Sequence, residues 1–573
     1  MVFSFRCAQR WLAVWAGCGA VAFAAHAVDA VPPSLEGRFA VGCSNVEQDF
    51  SRLRPGESGP DYWEGNPGPT APRYVTDLLV DPAHALTYPV VVPARADNDV
   101  FERQGGRTLA YAAIVCYPTR SDNTRADYGL PSGARVPRMQ RGADMPIFAA
   151  NPDSADGRWP LLVLSHGLAG SPLGDDYVRV MGRLAAEGYI VLAPFHADAR
   201  YSRIKLNDFS DYWYVLTRYA EIAEMQAIRP LGLKQGLDAL LARPEYAAAI
   251  DEDQIVGFGA SLGGMAMMLV QGAKMTTSWG GAERVIVRDP RYKAVVGYVP
   301  FSGYSFQAMF GASNQGVRSV RVPYLGIGGT ADVVAPISRT SQMVEALGAS
   351  KYFVTIEGME HGFRVEDAPD VFGWTFAFLR AELSRQQADR TAFSMIERVA
   401  GGADDRLRIR KTLAWGPRDE LEVVEYVGTP SGRYFMTGRR NEIALLDSYP
   451  ALWSRTGQRF AAFRTDSAMG TPMCRFYAFD GGTLNTHFYG ATASDCALVA
   501  AQPWAHDEGT PMRVQPVLTP GMTCPPDMAA VTRLFNSASV NHRYVIDGFN
   551  ARLPASAVWK NEGAVFCAAR YDD

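Results

Sequence analysis

No run of basic residues stands out in this chain. Lys and Arg number 56 against 60 Asp and Glu, giving a net charge of −4. A nucleic-acid partner, which calls for a basic stripe or patch, is therefore not expected. Long apolar runs are scarce as well. Beyond the N-terminus no stretch is long and apolar enough to span a membrane. Cysteine is sparse, 8 in 573 residues, and none has metal-ligand spacing. No metal and no organic cofactor is expected. Hydrophobic content of 47% and charged content of 20% describe an ordinary globular protein. Its length suggests two or three domains.

The N-terminus is a separate segment. Arg6 and Arg10 precede the apolar stretch Trp11 to Ala25, and Ala25-His26-Ala27 makes an A-x-A cleavage site, with Val28-Asp29-Ala30 as the alternative. Residues 1–27 read as a secretory signal peptide, and the mature chain as secreted or periplasmic. Removing Cys7 and Cys18 leaves six cysteines, an even number that suggests three disulfides in an exported chain. Clustering favours Cys43–Cys116, Cys474–Cys496 and Cys524–Cys567, although sequence alone does not fix connectivity.

Gly259-Ala260-Ser261-Leu262-Gly263 is the stretch with the clearest chemistry. It follows the apolar run Gln254-Ile255-Val256 and precedes Met265-Ala266-Met267-Met268-Leu269-Val270. That is a strand, a tight turn and a helix with a serine at the turn. A serine hydroxyl is a weak nucleophile that needs exposure, a base and donors for its oxyanion. A G-x-S-x-G elbow supplies the exposure. The same five letters arise by chance in a chain with 54 glycines, so the strand–turn–helix context is what gives them weight.

The surrounding pattern alternates. Pro160–Ser165, Tyr189–Pro194, Tyr292–Val299, Val322–Ile327 and Tyr352–Ile356 read as strands, with helices at 175–187, about 211–242, 336–347 and 369–383. Solid apolar strands alternating with helices indicate an α/β fold, a mostly parallel sheet covered on both faces. Arg107–Pro118 and the Pro-flanked 89–93 read as leading antiparallel strands of a larger sheet. In such a sheet, ligands gather where strands end at their carboxyl edge.

Three further post-strand loops carry candidate groups. In Ser165-His166-Gly167-Leu168-Ala169-Gly170, the N–H of Leu168 pairs with that of Leu262 as the natural oxyanion donors. His166 suits a turn-bracing role better than that of a base. Asp332 follows a strand and precedes Pro336; alone, it could equally be a turn or capping residue. His361 lies in Glu357-Gly358-Met359-Glu360-His361-Gly362-Phe363, with Glu357 and Glu360 as alternative acids. The chain order Ser261…Asp332…His361 matches the order for serine nucleophiles on this type of sheet.

Together these loops resemble the α/β-hydrolase superfamily, and within it the dienelactone hydrolase and platelet-activating-factor acetylhydrolase branch. His361-Gly362-Phe363 is similar to the former; Ser165-His166-Gly167-Leu168 and Phe195-His196-Ala197-Asp198 are similar to the latter. The resemblance covers roughly residues 105–385. It implies an α/β-hydrolase fold and a serine esterase or lipase acting on carboxylic esters of small molecules, lipids or polyesters. It carries nucleophile to Ser261, acid to Asp332, base to His361 and oxyanion donors to Leu168 and Leu262. A serine peptidase or acyltransferase would use the same groups. Aromatics at Tyr201, Phe209, Tyr212, Trp213, Tyr214 and Tyr219, with Met275 and Trp279, are candidates for an acyl pocket or for plain packing.

Domain limits are expected at 28–415 for the hydrolase with its N-terminal arm and 416–573 for an accessory domain. That C-terminal third repeats. Glu425-Tyr426, Arg433-Tyr434-Phe435 and Trp453 form one unit. Phe476-Tyr477, His487-Phe488-Tyr489 and Trp504 form a second, and Leu534-Phe535, His542-Arg543-Tyr544 and Trp559 a third. A β-rich, disulfide-stapled module of pseudo-threefold layout is expected. It resembles an aromatic repeat module appended to secreted bacterial proteins. Its aromatics either touch a polymer or glycan or form each unit's core. A binding protein with a vestigial triad is the reading furthest from an esterase.

Overall fold

The computed structural model describes residues 37–570 apart from 45, 67–72, 126, 130–134, 141–145, 203–216, 278–282, 305–306, 385–388, 391, 394–395, 397–398, 400–406, 413–419, 468, 483, 518–522, 526–527, 548 and 550–558. The signal-peptide reading lies outside the described residues. Two compact units are present. The first runs to Ser384 and takes in residues 392–413; the second takes in the residues from 414 onward.

A ten-stranded sheet organises the first unit. Its strands are β1 (Ala40–Cys43), β2 (Leu86–Val91), β3 (Thr108–Thr119), β4 (Trp159–Ser165), β5 (Ile190–Pro194), β6 (Ile250–Ala260), β7 (Tyr292–Tyr298), β8 (Tyr324–Gly329), β9 (Lys351–Ile356) and β10 (Leu407–Thr412). Their spatial order is β1-β3-β5-β4-β6-β7-β8-β9-β10, with β2 also on β3. The stretch from β5 to β9 is parallel throughout. The flanking β1, β2, β3 and β10 pair antiparallel. Parallel strands need crossovers, and helices α1 (Asp175–Ala186), α2 (Tyr219–Leu241), α3 (Leu262–Val270), α4 (Ile337–Ala346) and α5 (Ala368–Leu383) follow strands of this sheet. Residues 161–164 of β4 and all of β5 are buried, as expected for strands covered on both faces. Chain order reverses direction across β4, because β5 lies on one side of it and β6 on the other. The loops after β4 and β6 therefore flank a topological switch point, where open sheets of this kind leave a crevice. Disulfide Cys43–Cys116 joins directly paired residues of β1 and β3.

The second unit is antiparallel and built as three similar motifs. In the first, β11 (Glu420–Gly428) pairs with both β12 (Tyr434–Thr437) and β13 (Trp453–Phe463), with α6 (Arg440–Asp447) between them. In the second, β14 (Thr471–Phe479) pairs with β15 (Asn485–Gly490) and β16 (Ala505–Asp507), with α7 (Ala493–Ala500) between, and β17 (Met512–Val514) follows. In the third, β18 (Ala529–Asn536) pairs with β19 (Asn541–Ile546) and β20 (Trp559–Arg570). Disulfides Cys474–Cys496 and Cys524–Cys567 lie here, so all three favoured pairings form.

Strand register corrects the repeat alignment. Tyr426 faces Phe435, Phe476 faces Phe488 and Leu534 faces Arg543. Glu425-Tyr426 thus matches Arg475-Phe476 and Arg533-Leu534, one place away from the sequence reading. Tyr434-Phe435-Met436 likewise matches His487-Phe488-Tyr489. Aromatic spacing leaves a one-residue ambiguity, but in a strand one residue is a change of face. The contacts obey the corrected register. Tyr489 Oη donates to Met436 O (2.6 Å), and Tyr544 Oη donates to Tyr489 O (2.9 Å). Gln458 closes the ring, donating to Tyr544 O at 2.8 Å. Arg475 reaches Glu442 and Glu508 as Arg533 reaches Asp495 and Glu562. The third junction is rewired. The carboxylate stands at the strand position of those arginines, as Glu425, and the guanidinium comes from Arg543. His487 and His542 sit beside Glu508 and Glu562 as parts of this network.

Candidate active site

Ser261 stands at the end of β6 and immediately before α3. Its backbone has φ 52° and ψ −119°, a conformation that L side chains seldom adopt. The elbow is held from both sides. Ser261 N–H donates to Tyr298 O (3.0 Å), while Gly264 N–H (2.9 Å) and Phe301 N–H (3.0 Å) donate to Ser261 O. Only glycine fits at 259 and 263. A Cβ at 259 would overlap the Gly263 carbonyl, and one at 263 would overlap the Ser165 carbonyl.

Three loops converge on this hydroxyl. His361 Nε2 lies 3.0 Å from Ser261 Oγ, and His361 Nδ1 lies 2.8 Å from Asp332 Oδ2. Asp332 is itself fixed, because its Oδ1 accepts the N–H groups of Val334 (2.9 Å) and Ala335 (2.8 Å). A carboxylate accepting those two donors has its other oxygen left for the imidazole. With Nδ1–H donating to Asp332, the Nε2 lone pair faces the serine. The two loops are also tied together. Ala331 N–H donates to Met359 O (3.1 Å), and Gly358 N–H to Thr330 Oγ1 (2.9 Å). Tyr298, whose carbonyl holds the elbow, donates its hydroxyl to Gly362 O (2.8 Å). Glu360 turns away to Arg364 and is mostly exposed, and Glu357 is exposed; neither touches His361.

Leu262 opens α3, and Leu168 lies in the loop after β4. Among the described residues the N–H of neither has a backbone acceptor. A helix's first N–H groups are unsatisfied by construction, which makes Leu262 a ready donor. The Leu168 loop is held by a buried group that the sequence did not single out. Arg229 of α2 donates Nη1 to His166 O (2.6 Å) and Nη2 to Gly167 O (2.9 Å). It also forms a two-pronged pair with Asp198, through Nε at 2.8 Å and through Nη2. Asp198 in turn accepts Ala169 N–H (3.3 Å). Tyr177 Oη accepts Gly167 N–H (2.7 Å). Arg229 has no periodic signature inside a helix that is buried on most sides, so nothing in its sequence context separates it from packing. Asp198 was visible only within Phe195-His196-Ala197-Asp198.

His166 is part of this brace. Its ring is fully buried, with Nδ1 at 2.8 Å from Gly167 O and Nε2 accepting His196 N–H at 3.2 Å. Burial, reinforced by the Arg229 charge, pulls it down to about 3, so it stays neutral. His196, at 2.9 Å from Ser165 Oγ, is held well below its usual range by burial and by Arg229.

The aromatic pocket candidates divide. Tyr201 is buried and stacked on Tyr111, with centroids 6.0 Å apart. Tyr219 is buried, donating to Thr276 O at 2.9 Å, and Met275 is buried as well. These three are core. Phe209, Tyr212, Trp213, Tyr214 and Trp279 lie outside the described residues.

Two protein-family models match the chain. That of platelet-activating factor acetylhydrolase, isoform II, matches residues 140–207. This segment holds β4, the Leu168 loop, α1, β5 and Asp198, and stops short of Ser261; it supports the acetylhydrolase-like branch of the resemblance. A domain of unknown function, DUF5648, matches residues 472–572, which contain the second and third repeats. No curated protein matches the chain.

Proposed function

We propose that the chain is a secreted serine esterase or lipase of α/β-hydrolase fold. It hydrolyses carboxylic esters through Ser261, His361 and Asp332. The observation that carries this reading is the continuous relay Asp332–His361–Ser261, at 2.8 and 3.0 Å, ending on a serine held in a strained turn. His361 Nε2 takes the Ser261 proton as Oγ bonds to the ester carbonyl carbon. The carbonyl electrons move onto oxygen, where the N–H groups of Leu168 and Leu262 receive them. One such donor is worth ~100- to 1000-fold in rate. Collapse expels the alcohol, which leaves with the proton carried by His361. Water, deprotonated by His361, then releases the acid from Ser261. Asp332 keeps the imidazole in the required tautomer and faces its transient positive charge.

The acetylhydrolase-family match over the Leu168 loop supports ester chemistry. Three disulfides fit an oxidising compartment and so support export. No helix among the described residues is long and apolar enough to cross a membrane.

A panel of p-nitrophenyl esters of increasing acyl length tests the reading. Turnover by the wild type, reduced by about 10⁴-fold or more in Ser261→Ala, is the expected result. A folded wild type that turns over no ester, or a Ser261→Ala variant as active as wild type, contradicts it.

A further inference from the structure

The second repeat carries a surface that the other two lack. Tyr477 of β14 pairs with His487 of β15 on one side and with His506 of β16 on the other. Directly paired residues share a face of the sheet, so these three rings form one row. The Tyr477 ring is tilted by 32° from His487 and 33° from His506. Two residues along the same face comes Phe479, its ring within 11° of parallel to Tyr477 and 5.7 Å away. Phe479 is 42% exposed, high for a phenylalanine, and His506 is exposed too.

A register difference sets the tryptophan of this repeat apart. In the first and third repeats the tryptophans Trp453 and Trp559 pair with Gly428 and Asn536. The matching partner in the second repeat is Ala505, opposite Ala478. Trp504 is thereby displaced by one residue, and Phe479 N–H donates to its carbonyl at 3.0 Å. Trp453 and Trp559 pack near Phe435 and Tyr434, whereas Trp504 meets Phe479 through its backbone carbonyl. At the position of Tyr477 the first repeat has Val427 and the third Phe535, and at that of Phe479 they have Thr429 and Ser537, so the second aromatic of the row is particular to the second repeat.

The rim is polar, with charges of both signs. Asn485 accepts the Tyr477 hydroxyl at 3.2 Å, Arg433 Nη1 donates to Asn485 O, and Asp480 is exposed just past Phe479. Near-parallel rings suit the apolar face of a pyranose, and in-plane amide, imidazole and carboxylate groups suit its hydroxyls. A rim carrying both signs of charge offers no cationic patch for phosphates or uronates.

We propose that this face of the second repeat binds a neutral polysaccharide, with a sugar ring laid on Phe479 and Tyr477 beside Trp504. Asn485 and His506, on the same face, would meet its hydroxyls. The proposal does not rest on the esterase reading.

Affinity electrophoresis of the full chain through gels containing xylan, glucomannan or hydroxyethylcellulose tests it, with pectate as the anionic control. At least one neutral polymer should retard the wild type and Ser261→Ala alike. Phe479→Ala and Trp504→Ala should each weaken that retardation by about tenfold, the loss of one aromatic contact. Phe479 is exposed, so its removal should leave the fold intact, and an unchanged far-UV circular dichroism spectrum and denaturant midpoint verify that. No retardation by any neutral polymer, retardation by pectate alone, or retardation indifferent to both substitutions overturns the proposal.

Discussion

Among the described residues, each unit holds one arginine–carboxylate pair with both side chains almost fully buried, and the two pairs do different things. Arg229 and Asp198 in the first unit have side chains 1% and 3% exposed; Arg543 and Glu425 in the second are both at 2%. Arg229–Asp198 spends its remaining hydrogen bonds on the backbone of one loop, at His166, Gly167 and Ala169. Arg543–Glu425 spends them on closure. Glu425 accepts from Thr456 Oγ1 (2.6 Å), and the Arg543 guanidinium lies 4.1 Å from the Tyr434 ring centroid. One pair holds a loop beside Ser261; the other joins the last repeat to the first. A buried ion pair is weak evidence of stability, because desolvation offsets attraction. Its value here lies in what the geometry forces on neighbouring backbone.

The sharpest way to break this comparison is to truncate both arginines. Arg229→Met and Arg543→Met should each destabilise by about 3–5 kcal/mol in denaturant titrations, since each leaves a carboxylate buried without its partner. Ester turnover should separate them. At a temperature where both remain folded, Arg229→Met should lower kcat more than it raises KM, and Arg543→Met should leave both unchanged. Equal effects on kcat would remove the distinction.

A smaller effect sharpens the second half. Burial, the largest influence on Glu442, would push it up; hydrogen bonds from Arg475, Thr437 and Arg439 outweigh this and bring it down to about 2, from 4.5. A carboxylate lowered on folding stabilises the folded state above its unfolded value and loses that contribution as pH falls. Wild type should therefore exceed Glu442→Gln in stability at pH 7. The gap should narrow below pH 4.5 and close towards pH 2. A gap independent of pH would show that Glu442 matters through packing alone.

The two units also differ in how far their sequences could be read. In the first, apolar runs gave the parallel strands because burial on both faces leaves no other pattern. Ser261, Asp332 and His361 were legible because each follows such a strand. Arg229 was not, because its role depends on a contact with a loop more than sixty positions earlier, at His166. In the second unit the repeat was visible, but its register was not. Tyr434-Phe435-Met436 and Arg433-Tyr434-Phe435 are equally aromatic as letters, and only strand pairing tells which face each ring occupies. The same ambiguity hid the displaced Trp504.

The central claim is that Ser261 is a nucleophile activated by His361. It is tested most directly by treating the folded protein with a fluorophosphonate and mapping the adduct by peptide mass spectrometry. The account predicts one phosphonyl group per chain, on the peptide containing Ser261, and none after His361→Ala. A folded wild type that stays unlabelled, or one labelled at a different residue, would contradict it.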